Sequence, residues 1–122
     1  MEKIMALGIP GIDEGNFNDL MDGDEELYLS VLSSYINKTP SVVDKLAAVT
    51  IKTLADYAIT VHGFKGACAN ICAEEARKKA YSLELKAKAG DWDGVQAENA
   101  PFLKYVEEEL MPNLKDWYGK HK

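Results

Sequence analysis

Apolar side chains recur at intervals of three and four residues over most of this chain, and no stretch alternates at period two for long enough to form a sheet. That spacing confines the chain to amphipathic helices, each of which must bury one stripe against the others. Asp24 caps a helix whose first turn carries Glu25 and Glu26, where the helix dipole favours acids. Its buried stripe is predicted as Leu27, Tyr28, Val31, Leu32 and Tyr35, continued by Val43, Leu46, Ala47 and Thr50. Pro40 allows either a second helix capped by Thr39 or one helix bent at the proline; one bent helix to about residue 50 is the reading adopted. Ile51-Lys52-Thr53 is a short connection, with Thr53 as N-cap of a helix over 54–72. The next helix starts near Glu74 or Glu75 and runs to about Ala89, with Ala76, Ala80, Leu83 and Ala87 inward. Gly90 stops it, and Asp91 caps a last stretch, 92–117, carrying Val95, Asn99, Phe102, Val106, Leu110 and Leu114. Pro101 and Pro112 predict a kink or restart near Asn99.

The ends read differently. Gly8, Pro10 and Gly11 make residues 1–12 a flexible or loosely packed lead-in. Asp13 caps a short helix carrying Phe17, Leu20 and Met21, which Gly23 ends, and residues 118–122 are expected to fray. The expected fold is a single all-α domain over 1–122, an antiparallel up-down four-helix bundle with a short N-terminal helix.

Bulk properties narrow the function. The chain has 122 residues, 47% hydrophobic and 28% charged, enough for one core and typical of a soluble globular domain. A net charge of -6 argues against nucleic acid, whose phosphates need clustered Lys and Arg. No run approaches the ~20 apolar residues that span a bilayer, so no membrane partner is expected. The N-terminal stretch is broken by Gly8 and Pro10 and does not read as a signal peptide; a cytoplasmic monomer is the expectation. Cys68 and Cys72, four apart on a helix, would hold their Cβ atoms ~5–6 Å apart, beyond the ~3.5–4.5 Å of a disulfide. They read as small buried thiols. A metal site would need further ligands, and only His62 and His121 are available, so no metal is expected.

One titratable nucleophile sits among small residues, in Thr60-Val61-His62-Gly63-Phe64-Lys65-Gly66-Ala67-Cys68-Ala69-Asn70-Ile71. A helix advances ~100° per residue. With His62 at zero, Leu54, Tyr57, Val61, Phe64, Cys68 and Ile71 fall roughly between 180° and 280°, the arc of the core. His62 lies roughly 120° from its centre and is expected to face solvent. Its surface neighbours are Ala55, Ala58, Ile59, Lys65, Gly66 and Ala69. A mid-helix glycine costs ~1 kcal/mol relative to alanine, so Gly66 implies close approach of another molecule or of a neighbouring helix.

These residue types suit phosphoryl acceptance. An ordinary imidazole, with a pKa near 6.5, is roughly three-quarters neutral at pH 7 and is a nucleophile without an added base. The ammonium of Lys65, one turn on, can meet a phosphoryl group on the ring, while Ala58, Gly66 and Ala69 leave room for a partner. No GxxxxGK[ST] loop and no Mg²⁺-type acidic cluster accompanies it, so donor and metal must come from elsewhere. A lone surface histidine is also often only a solvated residue. A binding module, docking a partner protein through Ile59 without being phosphorylated, is a second reading. A small enzyme or metal protein is a third, and it lacks convergent acids, bases or oxyanion donors on the same helix.

The stretch His62-Gly63-Phe64-Lys65-Gly66-Ala67-Cys68-Ala69-Asn70-Ile71-Cys72 resembles the motif of the histidine-containing phosphotransfer (HPt) domains. Gly23-Asp24-Glu25-Glu26-Leu27-Tyr28 looks like that family's opening of its first long helix, and Lys88-Ala89-Gly90-Asp91-Trp92 like its turn before the last one, so the resemblance covers nearly the whole chain. It implies a four-helix bundle with an exposed phosphoacceptor. It implies a phosphorelay role: His62 takes a phosphoryl group at Nε2 from a receiver-domain aspartyl phosphate and passes it to another receiver. Partners would be receiver domains of response regulators or hybrid histidine kinases. Mg²⁺ would come with the receiver, and the chain itself would need no cofactor. Lys65 carries over as phosphate stabiliser and Gly66 as the access residue. Cys72 stands where the family commonly has glycine, which implies altered packing at that helix end. Gly63 is unusual for the family and is expected to loosen the helix.

Overall fold

A helix can start only where its first N–H groups find acceptors, and Asp24 supplies one: its Oδ1 accepts the Leu27 N–H at 3.0 Å. Helix α1 runs from there over Glu25–Ala47. The computed structural model describes residues 9–13, 15 and 24–122. Helix is the only regular structure among them. After α1 come a 3₁₀ turn at Ile51–Thr53, α2 over Leu54–Asn70, α3 over Glu74–Lys88 and α4 over Trp92–Tyr105. A π-helical segment, Val106–Leu110, then leads into α5, Met111–His121. The backbone stays helical through both junctions, so α4, the π segment and α5 make one long helix. None of the described helices is long and apolar enough to cross a membrane.

Pro40 lies inside α1 without ending it. The ring is exposed, and the buried Thr39 hydroxyl beside it donates to the Tyr35 carbonyl at 2.6 Å. The buried stripe is Tyr28, Leu32, Tyr35, Thr39, Val43 and Leu46. Leu27, Ala47 and Thr50, expected within it, are exposed, and Val31 is half-buried. The seam repeats in steps of three, four and seven from Tyr28, which turns Leu27 outward.

The start of α2 also differs from expectation. Thr53 does not cap α2 with its side chain; its Oγ1 accepts the Thr50 N–H at 2.8 Å and so closes the 3₁₀ turn. At the other end α2 stops at Asn70, two residues short of the expected boundary. Cys72 there has φ +63°, the left-handed region that favours glycine. The Ala73 N–H reaches back to the Cys68 carbonyl at 2.9 Å and the Cys72 N–H to Ala69 at 3.0 Å, the pair of bonds of a Schellman stop. Tyr28 of α1 donates to the Ile71 carbonyl at 2.8 Å, tying this turn to the first helix.

The helix does not restart near Asn99: α4 runs unbroken through it and through Pro101. Asn99 is buried within α4: it accepts from the Tyr57 hydroxyl at 2.7 Å and donates to the Leu46 carbonyl at 3.0 Å. It thus satisfies one of the last carbonyls of α1 and binds three helices at one level. The irregularity falls instead at the π segment, where the Met111 N–H bonds Val106 five residues back. The widened turn immediately precedes Pro112, which has no N–H to give.

Packing is heaviest between α2 and α3, then between α3 and α4, and α1 closes against α2, α4 and α5. Phe64 of α2 stacks on Tyr35 of α1 and meets Phe102 of α4 edge-on, with centroids 5.7 and 6.0 Å apart. The lead-in is better packed than expected where it is described. Ile9 is buried, and the Asp13 N–H donates to the Cys72 carbonyl at 2.8 Å. The expected N-terminal helix through Phe17, Leu20 and Met21 lies outside the described residues. At the C-terminus α5 continues to His121, whose ring stacks on Trp117 at 4.0 Å.

Candidate functional site

Helix α2 buries Tyr57, Ala58, Val61, Phe64 and Cys68, which leaves His62 on the surface with its side chain 63% exposed. The angular reading of this helix therefore holds for the histidine. The ring is not a free surface group, however. Its Nδ1 lies 2.8 Å from Oε2 of Glu84 on α3, a carboxylate that is itself buried.

Glu84 gathers three partners. Lys65 Nζ sits 2.8 Å from Oε1, and Lys88 Nζ sits 2.8 Å from Oε2, the oxygen that also meets His62. Burial alone would push this carboxyl up, but the Lys65 and Lys88 ammonium groups and the His62 ring outweigh it and hold the group down at about 2. At neutral pH Glu84 is a carboxylate and can only accept hydrogen bonds. The bond to His62 must then be Nδ1–H donating, which puts the proton on Nδ1 and the lone pair of the neutral ring on Nε2. The carboxylate fixes the ring's orientation and its tautomer, with Nε2 turned away from the carboxylate. Two ammonium groups face one carboxylate, so the cluster carries an excess positive charge beside an outward-facing nucleophile.

Lys65 was expected to stand ready beside the ring. It is instead committed to Glu84, 21% exposed, with its ammonium 4.9 Å from the Tyr81 ring centroid. The small residues divide into two groups. Ala58 is buried and Ala69 half-buried, on the side of α2 that carries Lys65 and faces α3. Ala58 therefore offers no surface to a partner, and its smallness serves the close packing of α2 on α3. Gly66 and Gly63 are exposed, and a Cβ at either would meet nothing within 4 Å. Of the two reasons open for Gly66, packing of a neighbouring helix is thereby excluded. Ile59 is 72% exposed and shares the open face with them.

Neither thiol competes with His62 as a nucleophile. Burial pushes Cys68 up to about 12 and Cys72 up to about 11, so both are protonated at neutral pH. Among the described residues no group of three His, Cys, Asp or Glu side chains is placed to hold a metal ion.

Glu84 and Lys88 escaped the sequence reading. A signal was present: Glu84 follows Ala76 and Ala80 at steps of four, on the inward stripe of α3. A carboxylate at a core position needs hydrogen-bond donors or cations, and His62 and Lys65 on the neighbouring helix were the available ones. Compared with protein-family models, curated proteins and solved structures, the chain matches none of them.

Proposed function

We propose that this chain is a phosphorelay carrier, a cytoplasmic monomer folded as an up-down four-helix bundle, with Nε2 of His62 as the phosphoryl acceptor. The observation that carries the reading is the buried Glu84 carboxylate on Nδ1, which leaves Nε2 of an exposed ring as the free nucleophile. In the transfer, the Nε2 lone pair attacks phosphorus of a receiver's aspartyl phosphate. The P–O bond breaks, and its electron pair returns to the aspartate. The ring keeps its Nδ1 proton and becomes a cation, which Glu84 stabilises at 2.8 Å. The reverse sequence hands the group to a second receiver. The receiver contributes the Mg²⁺ that polarises the phosphoryl oxygens, and this chain contributes position and charge.

Other features support the same reading. Gly63 and Gly66 clear a path to the ring at a cost in helix propensity that no contact among the described residues requires. Exposed Ile59 on α2 and exposed Tyr81 and Leu85 on α3 are apolar residues available for docking. Cys72 in left-handed conformation accords with the glycine that HPt domains, which the sequence resembles, commonly have there.

The test mixes the protein with purified receiver domains of the same organism, phosphorylated beforehand in the presence of Mg²⁺. An acid-labile, base-stable phosphate is expected on wild type and none on His62→Gln, with helicity unchanged. No labelling of wild type across those receivers overturns the proposal. A His62→Gln protein that still performs the biological role would favour the alternative, a docking module that regulates a receiver or kinase without being phosphorylated.

A further inference from the structure

The cluster around Glu84 contains more positive charge than its carboxylate can hold equally well. Lys65 has Oε1 to itself, is largely buried and lies against the Tyr81 ring. Lys88 shares Oε2 with His62 and is 59% exposed. Its stem enters from the last turn of α3, so its exposed head can swing through solvent. Phosphorylation changes the competition for Oε2. The ring becomes a cation and binds the carboxylate more tightly, while a phosphoryl dianion appears on the opposite nitrogen.

Resting on the phosphocarrier reading, we propose that Lys88, and not Lys65, is the group that moves onto the phosphoryl oxygens, exchanging its ion pair with Glu84 for one with phosphohistidine. Lys65 stays on Oε1 and keeps Glu84 charged and aimed at His62. This reassigns the role that the motif implied for Lys65. Lys65 is a positioning residue, and Lys88 is the one that touches the transferred group. The exchange leaves every charge paired: the imidazolium and Lys65 with Glu84, and Lys88 with the phosphate. An ammonium on the phosphoryl oxygens draws on the electron density that would expel the group as metaphosphate, so the phosphohistidine persists.

The experiment uses phosphoramidate, a small donor that phosphorylates an exposed imidazole without any receiver, on the full chain carrying His121→Gln so that His62 is the only histidine. Loss of the phosphate is followed by ³¹P NMR after the donor is removed. Lys88→Gln is expected to speed the loss by a factor on the order of 3–10, the worth of one charge-assisted hydrogen bond at an open site. Lys88→Arg restores the lifetime and Lys65→Gln leaves it within about twofold. In the protein with both lysines intact, the Lys88 side-chain ammonium signal moves on phosphorylation and that of Lys65 does not, which tests the exchange even if Lys65→Gln folds poorly. A shortened lifetime with Lys65→Gln alone, equal shortening with both variants, no shortening with either, or a moving Lys65 signal overturns the proposal. Because the donor is not a receiver, these outcomes are read separately from the relay reading, which fails by absence of transfer from receivers.

Discussion

Replacing Glu84 with glutamine keeps the side-chain shape and removes the charge on which two ammonium groups and the His62 ring N–H converge. The carboxyl is held at about 2, against an ordinary 4.5. At ~1.4 kcal/mol per unit, that displacement corresponds to about 3 kcal/mol of stability at pH 7. Solvent at the exposed His62 and Lys88 ends screens part of it, so the expected loss in E84Q is about 1–3 kcal/mol. The sign follows from the direction of the shift. The folded-state value lies below the unfolded one, so the stabilisation is complete above about 4.5 and fades as pH falls toward 2. Urea unfolding monitored by the fluorescence of Trp92 and Trp117 measures both effects. Wild type should be the more stable at pH 7, and the gap to E84Q should narrow steadily between pH 4.5 and 2. Transfer to His62 should also slow by on the order of 10–100-fold, the usual penalty for losing a carboxylate behind an imidazole. Equal stability at pH 7, or a gap indifferent to acid, would refute the account of Glu84 as the charged anchor of the site.

Gly66→Ala should stabilise the protein by about 0.5–1 kcal/mol, because its Cβ enters open space on a helix, yet reduce the rate of phosphoryl transfer. Thermal unfolding and transfer kinetics on the same sample check this; a rise in both would remove the access role. At Cys72, substitution by glycine relieves the left-handed backbone but empties a buried site, so C72G should stay within about 1 kcal/mol of wild type in denaturant melts. A β-branched valine there should cost about 2 kcal/mol or more, and an unaffected C72V would contradict the assigned backbone geometry. Asn99→Leu should destabilise by about 1–3 kcal/mol by leaving the Tyr57 hydroxyl and the Leu46 carbonyl without their partner, again readable in urea.

The helices were legible in the sequence because their caps and stripes are local. Asp24, Asp91 and the inward alanines of α3 needed no tertiary information. What failed was decided elsewhere in the chain. Leu27 turns out because the seam of α1 is set from Tyr28 by the other helices. Asn99 stays helical because Tyr57 and the end of α1 require its amide. At the site, the exposure of His62 was visible from the angular arrangement of one helix. Its partner was not, because Glu84 lies 22 residues away and reads as one more charge in Leu83-Glu84-Leu85-Lys86-Ala87-Lys88. The misreading of Ala58 has the same origin. Small residues beside a reactive ring can admit a partner or a neighbouring helix, and only the position of α3 distinguishes the two.

The central claim concerns one nitrogen atom. Protein labelled with ¹⁵N in its histidine rings, phosphorylated by a receiver domain and observed by ¹⁵N and ³¹P NMR, reports which ring nitrogen carries the phosphate. The account predicts Nε2 of His62, with Nδ1 still protonated against Glu84. Phosphate on Nδ1, phosphate on His121, or no phosphohistidine at all would contradict it.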